Sequence, residues 1–183
     1  MSTNQSHYLV TGNQGKLAEF QRILPMVHQV DIHLPEIQSL DPKEVIAAKL
    51  EAARQHHTDG ILMVEDTSLE LGCFNGLPGT FIKWFEQTMG LEEMAQKAAT
   101  LGDTTALART MIGLLDEQGQ THFFEGIVEG DFVPPRGDQD FGWGPCFQLK
   151  GETRTFGEMS REEKDQHGMR AQALRAVAEF LES

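Results

Sequence analysis

HYLVTGNQGKLAEFQRILP, residues 7–25, decides the fold class. His7 to Thr11 reads as a short strand that ends at the turn signal Gly12-Asn13. Leu17, Phe20 and Leu24 then recur at helical spacing until Pro25 stops the helix. A strand that turns directly into a helix is the opening of an α/β arrangement. It also aims backbone N–H groups of the helix start at any anion held there, with Lys16 adding a point charge. TGNQGK (11–16) lacks the Gly-x-x-x-x-Gly-Lys-Ser/Thr spacing of a P-loop, so that chemistry is not indicated. Taken alone, the signal is weak, and such a segment is more often just an ordinary turn.

Outward from this segment the strand–helix alternation continues. Val27 to Leu34 reads as a second strand. Asp41 and Pro42 form a helix start, N-cap then first helical position, for a helix through Val45, Ala48 and Ala52 towards His57. Ile61 to Val64 is a buried-strand run expected to deliver Glu65 and Asp66 at its C-terminal end. A Gly-rich turn (Gly72, Gly76, Pro78, Gly79) precedes two helices near Phe81–Thr88 and Leu91–Ala99. Thr104–Leu115 and Gly119–Val133, separated by residues 116–118, read as long antiparallel strands forming a hairpin in a second lobe. A loop at 134–137 and a short strand at Pro145–Leu149 lead to a helix over Ser160–Leu181. Ser160 with Glu163 fits a capping box there, and Ala171, Leu174, Val177 and Leu181 make the apolar face. The expectation is a mixed α/β fold, one domain over 1–183 built as two lobes.

Bulk composition excludes several classes. The chain has 183 residues, and 15 Lys and Arg against 28 Asp and Glu leave a net charge of −13. Such a surface repels nucleic acid and anionic membranes, so neither is an expected partner. A small anionic ligand needs only a local cationic cluster or a metal that inverts the sign of the site. Cys73 and Cys146 have neither metal-type spacing nor the number for a disulfide framework, which points to a reduced, cytoplasmic setting. MSTNQSHYLV at the start is not a secretory signal, and no run reaches the roughly 18 apolar residues of a membrane span.

Five places could carry chemistry. Beside TGNQGK stand the acids Glu36 and Glu65-Asp66. Hydrolysis of a phosphoanhydride needs hard oxygen ligands for Mg²⁺ and a base for water, and strand-end carboxylates supply both. Adjacent strand residues point to opposite faces, so Glu65 and Asp66 share one task only if the strand has already ended. The alternative for these acids is plain solvation. GLPGTFIKWF (76–85) sets Lys83 among aromatics; its plainer reading is a core helix with Lys83 reaching outward. PRGDQDFGWGPCF (135–147) alternates glycines with Phe141 and Trp143, leaving room for a flat ring, or simply forming aromatic core. Lys164 and Arg170 are six residues apart and share no helical face unless a helix begins between them.

The order of these motifs is more specific than any one of them. TGNQGK, LPE at 34–36, Lys49, VEDT at 64–67, GLPGTFIKWF, PRGDQDFGWGPCF and a final Glu163-Lys164…Arg170 helix resemble the inosine triphosphate pyrophosphatase family, from about residue 8 to 180. The resemblance implies an elongated, two-lobed α/β structure with a mixed sheet, flanking helices and a central cleft, assembled as a homodimer. It implies Mg²⁺-dependent hydrolysis of deaminated purine triphosphates such as ITP, dITP and XTP to the monophosphate and pyrophosphate. Carried over by motif, Thr11, Asn13 and Lys16 hold the phosphates, and Glu36 and Asp66 bind the metal. Asp66 also activates water, and Lys49 and Lys83 neutralise phosphate charge. Phe141 and Trp143 flank the base, and Lys164 and Arg170 close over the nucleotide.

Departures cluster at the base. The family's aspartate after FGW is Gly144 here, and its Ser-His-Arg is Gly168-Met169-Arg170. Sites that hydrogen-bond a substrate can discriminate by about 10⁴, so losing those groups should relax or redirect base choice. Two further readings stand beside this one: a pyrophosphatase for modified pyrimidine nucleotides, which the FGW loop and the Lys164/Arg170 pair disfavour, and a nucleotide-binding regulatory module without turnover, which intact Glu36, Lys49 and Asp66 disfavour. A purely structural interaction domain would not require this acid–lysine set.

Overall fold

The computed structural model describes residues 6–57, 59–138 and 142–183. Among these residues seven strands form one sheet: β1 (His7–Val10), β2 (Val27–Val30), β3 (Ile61–Leu71), β4 (Pro78–Gly79), β5 (Thr105–Leu115), β6 (Thr121–Phe132) and β7 (Phe147–Leu149). Their order is β2-β1-β3-β5-β6-β7, with β4 pairing off this path on β3. Among the described residues six α-helices accompany them: α1 (Gln14–Ile23), α2 (Pro42–Arg54), α3 (Ile82–Thr88), α4 (Leu91–Leu101), α5 (Arg161–His167) and α6 (Met169–Glu182). The mixed α/β expectation holds.

The chain divides into two compact units. The first comprises Met1–Asp66, Met111–Glu125 and Arg170–Ser183; the second comprises Thr67–Thr110 and Gly126–Met169.

In the first unit β1 pairs in parallel with both β2 and β3. Strand alternation sorts its apolar residues onto two faces. Leu9, Ile61, Met63, Ile112 and Leu114 pack with Phe20 of α1 and with Ala173, Leu174 and Val177 of α6. Val10, Leu62, Val64 and Met111 pack instead with Ile46, Leu50 and Ala53 of α2. Helices thus cover both faces, which explains why β3 begins as an unbroken apolar run. Gly113 of β5 lets α2 approach closely, since a Cβ there would come within 2.2 Å of Ile46 Cγ2. Asp41 caps α2 as expected, its side chain accepting from the Lys43 N–H at 2.8 Å, with Pro42 opening the helix.

In the second unit Leu69 and Leu71 of β3, Ala106 and Ala108 of β5, and Val128 and Phe132 of β6 form a core with Ile82 of α3 and Met94 of α4. β7 pairs antiparallel with β6 through Phe132↔Phe147. The predicted capping box is present: Ser160 Oγ accepts from the Glu163 N–H at 3.2 Å, and Glu163 Oε2 accepts from the Ser160 N–H at 2.8 Å. Glu163 also accepts from Arg154 at 2.7 Å, and that bond, with the backbone one, holds its carboxyl down at about 2.

Three of the differences from expectation bear on the site. β2 ends at Val30, not Leu34, because its ladder on β1 ends with Val10↔Val30. β3 does not stop at Val64 but runs to Leu71, so Glu65 and Asp66 lie within a strand and not at its end. The last helix is two helices, broken at Gly168, whose extended backbone (ψ 151) departs from the helical path. A Cβ at Gly168 would lie 2.6 Å from the Lys164 carbonyl oxygen, so this break favours glycine.

Candidate active site

Extension of β3 past Val64 carries the sheet's two-face alternation into its charged residues. Ile61, Met63 and then Glu65 face α1 and α6, whereas Leu62, Val64 and then Asp66 face α2. The partners follow that division. Asp66 Oδ1 accepts from Lys49 Nζ of α2 at 2.5 Å. Glu65 meets Lys16 Nζ of α1 at 3.2 Å and the Arg170 guanidinium of α6 at 3.4 Å. Arg170 also donates to Glu19 of α1 at 2.5 Å. All of these residues belong to the first unit.

On the α2 face, Lys49 is buried, and its Nζ also lies 3.9 Å from Glu36 Oε1. Glu36 sits in the stretch after β2 that has no regular structure, with 42 % of its side chain exposed. Two carboxylates from different segments therefore converge on one positive charge. Burial drives the Asp66 pKa up from its ordinary 3.8; Lys49 and Lys16 pull against that shift without cancelling it. A carboxylate so placed gains from a further cation and accepts a proton more readily than an exposed one.

The same carboxylates test the metal expectation. Among the described residues no group of three or more His, Cys, Asp or Glu could hold an ion unaided. Mg²⁺ does not require one, because it keeps several waters and takes one or two carboxylates together with substrate phosphate oxygens. Glu36 and Asp66 fit that donor set.

On the α1 face, the β1–α1 turn is ordered by its own side chains. Asn13 is the N-cap of α1, its Oδ1 accepting from the Lys16 N–H at 3.1 Å, and the Asn13 N–H donates to Thr11 Oγ1 at 3.1 Å. Gln29 Nε2 fixes the Thr11 carbonyl at 2.7 Å. Thr11, Asn13 and Lys16 thus stand together where a helix N-terminus attracts anions. The Lys16 side chain keeps 24 % of its surface exposed, while Glu65 keeps only 2 %. Arg170 is buried. Burial opposes its charge, but Glu65 and Glu19 outweigh that and raise its pKa.

The remaining predicted residues lie elsewhere. Lys83, Trp143 and Lys164 belong to the second unit, and Phe141 lies outside the described residues. Lys83 is exposed in the first turn of α3, with its Nζ 5.5 Å from the Trp84 ring centroid. Trp143 is 7 % exposed and packs edge-on against Phe147 at 5.6 Å, so its ring contacts core and not solvent. Lys164 is half-buried within α5, while Arg170 starts a different helix. Sequence reasoning missed Glu65 as an organising group and Glu19 altogether. Lys16 and Glu19 are three apart on α1 and so share a face, which was the available signal for Glu19.

A family model described as the Ham1 family matches residues 7–180. The inosine triphosphate pyrophosphatase of Schizosaccharomyces pombe is 38 % identical over 187 residues, covering 100 % of this chain and 98 % of that protein. Among solved structures, the Ham1 protein of Staphylococcus aureus superposes with a TM-score of 0.81 at 25 % identity, covering 96 % of this chain and 98 % of that one. The nucleoside-triphosphatase / dITP/XTP pyrophosphatase of Mycobacterium abscessus gives 0.69 at 25 % identity, with coverage of 96 % and 98 %. With the match running almost from end to end, the chain belongs to the Ham1 family of inosine triphosphate pyrophosphatases.

Proposed function

We propose that this protein hydrolyses non-standard purine nucleoside triphosphates, such as ITP, dITP and XTP, to the monophosphate and pyrophosphate. The observation that carries this reading is the convergence of Asp66 and Glu36 on Lys49, across β3 from the Lys16–Glu65 pair. The printed names of the relatives, an inosine triphosphate pyrophosphatase and a dITP/XTP pyrophosphatase, support the substrate class.

Lys16 and the α1 N-terminus hold phosphate oxygens, Thr11 and Asn13 shape that turn, and Lys49 offsets charge beside Asp66. Asp66 takes the proton from the attacking water as its oxygen bonds to the α-phosphorus, and the bond to the bridging oxygen breaks with pyrophosphate leaving. Mg²⁺, held by Glu36 and Asp66, would stabilise the charge gathering on the leaving group. Each such preorganised positive group is worth about 10²-fold in rate. Lys83, Phe141, Trp143, Lys164 and Arg170 are assigned to the nucleotide on motif alone.

Base preference is expected to differ from that of a site rich in base-directed hydrogen bonds. Gly144 and Gly168 carry no side chain and both are buried, the first opening a 3-10 turn of helix and the second at the break between α5 and α6. We expect kcat/KM for ITP and XTP to exceed that for GTP by well under the ~10⁴ such bonds can supply. Pyrophosphate release measured across ITP, XTP, dITP and the ordinary nucleotides checks both points. No release from any of them would favour the binding-module reading; a full 10⁴ preference would show that the two glycines do not matter.

We further assign a homodimer in a cytoplasmic setting. No helix among the described residues is long and apolar enough to cross a membrane. A solution mass equal to one chain would refute the dimer.

A further inference from the structure

We propose that Glu65 is a positioning residue which, through its buried charge, holds the Lys16 ammonium in place for the substrate's phosphates. The proposal rests on the assignment of Lys16 to phosphate binding and adds to it the group that fixes this lysine.

A lysine is a point charge on a flexible four-carbon stem, so a binding role requires something to hold it. Here the ammonium is 3.2 Å from Glu65 Oε2, on a carboxylate with 2 % exposure. Glu65 is itself held in place, because the Arg170 guanidinium lies 3.4 Å from each of its carboxylate oxygens. Arg170 is anchored in turn by Glu19 at 2.5 Å. Glu19 and Lys16 lie three residues apart on α1, so the contacts close a ring: Lys16 to Glu65 on β3, Glu65 to Arg170 on α6, Arg170 to Glu19, and back to α1. Three elements are tied by one circuit, and the carboxylate with two cationic partners is Glu65. Lys16 has three donors, so its exposed side remains available to phosphate while Glu65 occupies the inner one. Asp66 points to the other face of β3, yet Lys16 and Glu65 both act on its charge through space, so the effect on Lys16 is read by phosphate binding and not by turnover.

The test is a double-mutant cycle read by binding and not by turnover. Inorganic tripolyphosphate is titrated calorimetrically, with chelator present to exclude metal, into the full chain and into Glu65→Gln, Lys16→Ala and the double variant. We expect Glu65→Gln to weaken binding about tenfold, and to have no effect once Lys16 is already alanine. Losses that multiply in the double variant would overturn the proposal, because Glu65 would then act other than through Lys16. Glu65→Asp keeps the charge but withdraws it by one methylene, and it carries the same cycle should the glutamine variant not fold. Wild-type affinity in both Glu65 variants would also overturn it. Wild-type affinity in Lys16→Ala is a separate result: it removes Lys16 from phosphate binding, whatever Glu65 does.

Discussion

Asp66→Asn is expected to lower kcat for pyrophosphate release by about 10³-fold, the scale of losing a positioned base together with charge at a metal site. The change is nearly isosteric, and the amide oxygen can still accept from Lys49, whose Nζ lies 2.5 Å from Oδ1. What disappears is a charge that burial already disfavours. The fold should therefore survive, with a melting temperature close to wild type. Near-normal turnover in a folded variant would remove Asp66 from the mechanism.

The same raised pKa fixes a sign with pH. The folded protein favours the protonated carboxyl more than the unfolded chain does. Stability from this group is fully present below 3.8 and is lost as pH rises through the raised value. Activity runs the other way, since water activation needs the ionised form. Over one window the wild type should gain kcat/KM and lose stability, whereas Asp66→Asn should show neither slope from this position. Denaturant melts of both proteins across that range provide the check.

Local signals are legible in the sequence where the cause is local. Asp41-Pro42 opens α2, and Ser160 with Glu163 caps α5, because a cap is settled within four residues. The errors came where a distant partner decides. Glu65 and Asp66 look like a strand end because buried charge is costly alone. They continue β3 because Lys49 lies 17 residues from Asp66 and Arg170 lies 105 from Glu65. The break at Gly168 was hidden for a different reason: apolar periodicity marks the body of a helix well and its ends poorly. The order of motifs brought Lys16, Glu36, Lys49, Asp66 and Arg170 onto one list. It did not reveal that Arg170 is enclosed by two carboxylates, which requires seeing α1 and α6 on the same face of the sheet.

That enclosure gives the largest expected change in stability. Arg170→Met should cost about 3–5 kcal/mol, because the buried side chain it removes balances a Glu65 carboxylate that is only 2 % exposed. Methionine roughly fills the space, so the loss reflects charge more than a cavity. With Arg170 gone, Lys16 is left at 3.2 Å from Glu65, and Glu19 loses its 2.5 Å contact. At this chain length each kcal/mol moves the melting temperature by roughly 2–4 °C, so a shift near 10 °C is expected. Adding Glu65→Gln to Arg170→Met should return much of the loss, since replacing both members of a buried pair costs far less than stripping one. A surface pair would behave differently: its removal would cost under about 1 kcal/mol and the effect would fade in salt. If Arg170→Met costs no more than that, the ring through Glu65 and Glu19 carries no structural weight. Activity assayed well below the melting temperature then separates the roles of Arg170. A variant that stays folded there and still loses turnover would mean that Arg170 also serves the nucleotide, as its motif implies.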